Sequence, residues 1–443
     1  MKYIGVLIGL IGVMAANVLG GDWPQFCGPN RNNLSEETGL AKSWPEQGPA
    51  ILWSVDVTTG YAGPAVKDGK VYLMNHTNDV SSLHCYSFDS GKELWHLELD
   101  DPGTMKNKKY PGTRGTPTVA DDSLYAVTLY GTVFCVDLPS QKVKWQHNMR
   151  TDFGKSSETF GYAQSPLLVE SLVIISPLTE SHSVIALDKN SGEMAWTTTG
   201  FPGGGWTSPS LIQVDGEDQI LLAAGGEWPK KKGRRRPSTD DAEKASEEKP
   251  VEKPRPTIVF TVSPKDGKVL WTYEGWSCSN PIPHPVAVGE NTIFLTSGYK
   301  SVSTLLRIKK NKVEELWKTE AAASWIEQPV FVNNHLFIGG SVKSPQKGLG
   351  CINLDGEVKW NSVDAEEAPK FNHLNMLSAD GMLVALDGNS GFLHLIEASP
   401  EGFKELASAK VVAEKGQTWA PIALSDGKLL VRDHDQMKCL NMK

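Results

Sequence analysis

Seven of the fourteen tryptophans fall on one beat: Trp53, Trp95, Trp145, Trp196, Trp271, Trp317 and Trp360. Most gaps are 42 to 51 residues, and only Trp196 to Trp271, at 75, is longer. A period of roughly 40–50 residues that ends each time in an aromatic is the sequence signature of a β-propeller blade. One such unit cannot bury its own apolar face, so the 443 residues form one large array rather than two or three ordinary domains.

Each unit opens on proline, runs through a short apolar strand and turns on Asp-Gly or a relative. Two longer strands follow, and the last carries tryptophan. The first unit shows all of it: Pro64-Ala65-Val66, Asp68-Gly69, Val71 to Met74, Leu83 to Phe88, Asp89-Ser90-Gly91 and Glu93-Leu94-Trp95. Asp-Gly between apolar runs is a strong hairpin signal, because both turn positions need positive φ. Further units begin at Pro117, Pro166, Pro209, Pro281 or Pro285, Pro329, near His373 and at Pro421. The seventh ends around Leu406, where tryptophan is replaced. The eighth stops after Met437 to Leu440 and lacks a fourth strand, while Ile51 to Val55 is a fourth strand with no blade before it. The fold predicted is all-β: an eight-bladed propeller of four-stranded antiparallel blades, the last closed by the N-terminal strand. Closure removes exposed sheet edges. Seven blades is the alternative count, because the seventh unit is degenerate.

Outside the array, Lys2, the apolar run Ile4 to Val13 and the small residues Ala15, Ala16, Gly20 and Gly21 read as a signal peptide over residues 1–21. The run is too short to span a bilayer, and no transmembrane segment is expected after cleavage. Residues 22–50 form no clear strand and are expected to wrap the side or one face of the propeller (51–443), anchored by Trp23, Phe26 and Trp44. Residues 227–256 place Lys230 to Arg236 beside Asp240, Asp241, Glu243, Glu247 and Glu248; this composition predicts a disordered charged insertion in the fourth blade. The net charge of −8 argues against a nucleic-acid partner. Six cysteines without a CxxC pair are expected to be mostly free and buried, and no metal site is expected.

The chain resembles the bacterial PQQ-like β-propeller repeat family, which includes BamB-like proteins. The resemblance rests on Trp23-Pro24-Gln25-Phe26 with Gly28-Pro29-Asn30, Arg114-Gly115-Thr116-Pro117-Thr118, Gly161 to Leu167, and Ala186-Leu187-Asp188 with Ser191-Gly192-Glu193 and Trp196. It implies an exported protein of the cell envelope, periplasmic or secreted. The family spans quinoprotein dehydrogenases and an outer-membrane assembly scaffold, so the repeat alone names no activity. The dehydrogenases carry a vicinal Cys-Cys pair and this chain has none, nor a CxxCH haem motif. GxSxG, HExxH and P-loop patterns are also absent from the sequence. Asp433-His434-Asp435 falls at a strand turn and is read as structural.

Ahead of the first strand of nearly every unit stands an aromatic or large polar residue: Tyr61, Arg114, Tyr162, Trp206, Trp276, Trp325, His373 and Trp419. In a propeller these lead-ins meet at one mouth of the central channel. They predict an aromatic funnel with Gln164, Asn280, Glu327 and Gln328 as further polar groups, suited to a sugar, a peptide segment or a flat ring. The same aromatics could instead simply plug the mouth. The expectation is a monomeric, non-catalytic scaffold that binds an envelope protein or a small polymer or carbohydrate, with no cofactor. PQQ with calcium belongs to the alternative, a quinoprotein oxidoreductase; a carbohydrate-binding propeller is the other alternative.

Overall fold

A computed structural model describes residues 21–443 except 104–109, 155–159, 205, 226–256, 279, 299–300, 342–343, 345–346 and 414–416. The leader up to residue 20 and the charged insertion lie outside the described residues. Eight four-stranded antiparallel sheets form a ring. Seven are built from consecutive strands, beginning with Ala65–Lys67, Lys70–Thr77, Val80–Ser87 and Glu93–Leu99 in blade 1. The eighth joins Ala423–Ser425, Lys428–Arg432 and Gln436–Asn441 to Ile51–Asp56, which is its outer strand. The eight-blade count and the N-terminal closure are therefore as the sequence predicts.

Six inner strands start directly after a proline, at Ala65, Thr118, Leu167, Ser210, Val286 and Val330; Ala423 follows Pro421 by two residues, and Leu374 follows His373. Blade 5 thus opens after Pro285 and not Pro281. Proline has no N–H to give, so it suits the position just before a strand. The first hairpin turns on Asp68 and Gly69 with φ of 49° and 71°, as its sequence requires.

The tryptophan beat has a mechanical meaning. Each of these residues lies on an outer strand, and most reach into the next blade. The indole N–H of Trp53 donates to the carbonyl of Phe88 (2.9 Å), Trp145 to Lys189 (3.2 Å), Trp196 to Pro264 (2.9 Å), Trp317 to Leu354 (2.8 Å) and Trp360 to Ser399 (2.9 Å). Every acceptor sits in the turn between the third and fourth strands of the following blade. A buried indole thereby satisfies its one donor and fills the wedge between sheets. Trp271 does the same through a relay. It donates to Gln219 (2.9 Å), whose amide donates to Asn311 (3.2 Å) in the corresponding turn of blade 5.

Register also explains the missing eighth member. Four of the tryptophans pair with a cysteine, as Trp95 does with Cys85 and Trp53 with Cys439, next to a bulge in the third strand's pairing. In blade 7 the equivalent partner of Leu395 is Ala407, one residue past Leu406. Blade 8 changes chain segment between its third and fourth strands, so it has no turn to receive an indole. Trp44 packs on the core cluster of this junction, and Gly48 lies so near Ala409 that a Cβ would meet the alanine methyl at 2.5 Å. All six cysteines are free and buried.

Residues 22–41 run across the inner strands, so the segment occupies the channel rather than the outer side of the ring. Trp23 bridges Val66, and Pro24 accepts from the Val119 N–H (2.9 Å). Arg31 donates to the carbonyls of Pro166 (3.0 Å) and Ser165 (3.2 Å). Leu34 bridges Ser378, and Ala41 donates to Met442 (2.7 Å). Backbone groups that would face an empty channel are thus paired.

Gly192 of blade 3 has φ +76°, and a Cβ there would meet the Trp145 ring at 2.7 Å. Gly381, with φ +75°, has nothing within 4 Å. Gly381→Ala should cost about 1–3 kcal/mol through backbone strain alone, and Gly192→Ala measurably more. Urea unfolding of the two variants checks this; equal losses would mean that the indole contact contributes nothing.

Candidate functional site: an aromatic funnel at the channel mouth

The lead-ins to the inner strands converge on one cavity of about 370 Å³. Tyr61, Arg114, Trp206, Asn280, Trp325, Gln328 and Trp419 line it. Phe26, Tyr110, Phe160, Ala163, Ser208, Ile282, Ile326 and Pro421 complete it. The rings form a near-continuous wall. Trp206 meets Phe160 (centroids 6.2 Å apart), Phe160 meets Tyr110 (6.0 Å), and Tyr110 meets Trp419 (5.8 Å). Trp419 in turn touches Tyr61 (5.5 Å, stacked) and Trp325 (5.8 Å, edge-on).

Five of the residues predicted for the funnel lie behind this wall. Tyr162 is buried in the core shared by blades 2 and 3, its ring over Gly131. Gln164 uses its amide on the backbone of Ser176, accepting from N–H (2.7 Å) and donating to C=O (2.8 Å). Trp276 is 1% exposed and donates to the Val302 carbonyl (2.8 Å). Their lead-ins reach inward because the neighbouring sheet supplies a buried site for each. Glu327 and His373 form a buried pair (2.6 Å) that supports the wall. Glu327 also accepts from the Ile326 N–H (3.1 Å), and the His373 ring packs on Trp325 (5.2 Å) and Trp419 (5.0 Å). His373 holds φ at 64°, a left-handed conformation that only a well-supported side chain retains.

Three wall aromatics were missed from sequence. Tyr110 and Phe160 follow the same rule of an aromatic before the inner strand, but Arg114 and Tyr162 stood closer and were taken instead. Phe26 belongs to no repeat. Its neighbours Gln25 and Cys27 line a second cavity of about 350 Å³, and Gln328 lines both cavities, so Phe26 stands between them.

Among the described residues Arg114 is the one charged side chain in the funnel lining. Its guanidinium lies 5.3 Å from the Tyr61 ring centre and donates to the carbonyls of Gly112 (2.8 Å) and Tyr110. Among the described residues no carboxylate pairs with it. Burial pushes its pKa down to about 10, so the cation is costly where it stands and favours an anion beside it. Burial likewise raises the Tyr61 hydroxyl to about 12, leaving it a neutral donor, which it gives to Gln417 (3.2 Å). The buried indole N–H groups of Trp206 and Trp419 find no acceptor among the described residues. Among the described residues the funnel therefore presents flat apolar faces and one positive charge.

The Asp433 carboxylate accepts from the backbone N–H of Asp435 (2.8 Å), Gln436 (2.8 Å) and Ala413 (3.3 Å). Its work is to hold a turn, as the sequence reading has it.

A family model described as outer membrane protein assembly factor BamB matches residues 81–228 and 256–420, more than half of the chain. The chain belongs to this PQQ-like, BamB-like propeller family. Solved structures share its fold at low identity. BamB from Moraxella catarrhalis superposes with a TM-score of 0.58 at 13% identity, covering 89% of this chain and 98% of that one. A quinohemoprotein alcohol dehydrogenase from Comamonas testosteroni gives 0.62 at 12% identity, covering 94% and 80%. A europium-containing methanol dehydrogenase gives 0.61 at 12% identity, covering 93% and 89%. No curated protein matches the sequence.

A quinone held with calcium needs hard, negatively charged oxygen donors for the ion. The described lining contains no aspartate or glutamate; its side-chain oxygens come from Asn280, Gln328, Ser208, Tyr61 and Tyr110. Neutral amide and hydroxyl oxygens without a carboxylate do not fit the ion.

Behind the funnel, the His284 ring packs edge-on against Phe26 (5.5 Å). Gln328, with its amide oxygen toward His284, accepts from that residue's backbone N–H (2.7 Å). Burial, with Arg31 nearby, pushes the His284 pKa down to about 3 from 6.5. Between these values the unfolded chain binds a proton that the folded chain refuses, so stability falls as pH drops below 6.5. His284→Gln should remove about 2 kcal/mol of the stability lost between pH 7 and pH 5. Urea unfolding at both pH values measures this; an unchanged difference would mean the folded protein does protonate His284.

Proposed function

We propose that this chain is an exported, non-catalytic propeller of the bacterial cell envelope, monomeric, whose funnel holds a segment of a partner protein or a small polymer. The observation that carries the reading is Arg114, a cation among aromatic faces with no carboxylate beside it among the described residues. Such a site recognises a ring-bearing ligand with an anionic group, gaining area from the rings and orientation from the charge. The family's description as an assembly factor and the leader read in the sequence both support an envelope setting. Among the described residues no helix is long and apolar enough to cross a membrane.

The deep ring wall also suits a sugar stacked on Trp206 or Trp419, which is the second reading. The two separate by experiment. Capture of partners from the native envelope is compared for the wild type, Arg114→Gln and the pair Trp206→Ala with Trp419→Ala, alongside binding to a glycan array. Loss of a charge-assisted hydrogen bond of about 1.5–3 kcal/mol should weaken the partner at least about tenfold in Arg114→Gln. Glycan binding abolished by the tryptophan pair but indifferent to Arg114 would select the sugar. If both variants fold, melt lower and bind everything as the wild type does, the rings are only a plug.

A further inference from the structure

The cross-strand register of blade 1 assembles a group of side chains that lie far from the funnel. His84 stands directly opposite His96 on the two outermost strands, and the two rings stack with centroids 5.3 Å apart. Glu93 joins them, its Oε1 2.6 Å from the His96 Nδ1 and 3.5 Å from the His84 Nδ1. The candidate ligand atoms of all three lie within 4.8 Å of one another. No spacing within one strand could reveal this, because the histidines are twelve residues apart and meet only through pairing.

His84 is held as a metal-binding histidine is held. Its Nε2 faces the Ser82 hydroxyl at 2.9 Å, and its ring is backed by Tyr86 (6.0 Å, stacked). When the hydroxyl accepts from Nε2–H, the other ring nitrogen is left with the lone pair that a metal ion needs. That other nitrogen, Nδ1, is buried and faces the Glu93 carboxylate at 3.5 Å.

We propose that His84, Glu93 and His96 form a zinc site with three protein ligands and a fourth position open to water. Two imidazoles and one carboxylate are a common zinc donor set. Ligands around tetrahedral zinc lie ~3.3 Å apart, from bond lengths near 2.0–2.1 Å. The His84–Glu93 separation already meets that. The His96–Glu93 contact has to open slightly, and both side chains have the freedom to do so at 58% and 42% exposure. The ion would clip the edge strand Glu93–Leu99 to its neighbour.

Untagged, metal-free protein titrated with zinc sulfate in a calorimeter should bind one equivalent. His96→Ala and Glu93→Gln should each weaken that binding by at least about tenfold, the scale of losses at metal sites. Cobalt replacement should give the visible bands of a four-coordinate ion, absent in His96→Ala. Both residues are surface side chains, so thermal melts of the metal-free variants should match the wild type. Zinc affinity that is the same in the wild type and in the His96→Ala, Glu93→Gln double variant would overturn the proposal, as would wild-type protein that takes up no zinc at micromolar concentration.

Discussion

At six of the eight junctions one blade hands an indole to the next, directly or through Gln219, and that repeated contact holds the ring. The donor is on an outer strand and the acceptor is a turn carbonyl, so the contact fixes both the spacing and the tilt of adjacent sheets. It also sets where the chain can begin and end. Closure works because Trp53, on the strand contributed by the N-terminal part of the array, makes the same bond to blade 1 that the others make to their neighbours. At the one junction that lacks a receiving turn, between blades 7 and 8, the tryptophan is lost and the segment carrying Trp44 and Gly48 takes up the space. The break in the beat at Leu406 and the change of chain segment in blade 8 are one feature seen from two sides.

A ring fixed at its perimeter leaves a channel at its hub. The inner strands are short and their edges face that channel, so something must satisfy them. Residues 22–41 do so for several blades, and Phe26 then stands at the base of the funnel. The Glu327–His373 pair works on the same cavity from outside, because it fixes the loop that carries Trp325 and Ile326.

The repeat made the fold readable. Proline, Asp-Gly and tryptophan each mark a position with a strict backbone or volume requirement, so blade number and strand order could be counted from the chain. The mouth was only partly readable. Tyr61, Arg114, Trp206 and Trp419 each stand four residues ahead of an inner strand and Trp325 five, and that placement brings them together. Tyr162, five ahead, and Trp276, ten ahead, turn into the core instead, because whether a ring faces the channel or the next sheet depends on neighbours that are remote in sequence. Phe26 could not be found by periodicity at all. The cluster on blade 1 escaped for a related reason. Cross-strand register, set by the bulge beside Trp95, decides that His84 faces His96.

Arg114 is the feature of this mouth that plugging alone does not require. Plugging a channel needs volume and apolar contact, and phenylalanine or leucine would supply both at no electrostatic cost. The half-buried Arg114 guanidinium, with no carboxylate beside it among the described residues, loses hydration that two backbone carbonyls replace only in part. The two indole N–H groups that lack acceptors among the described residues add to that cost. Moving Trp206 and Trp419 elsewhere would satisfy their donors, as the docking tryptophans satisfy theirs throughout the ring. An anionic ligand group facing Arg114, as the proposed function has it, would offset the cost of that cation.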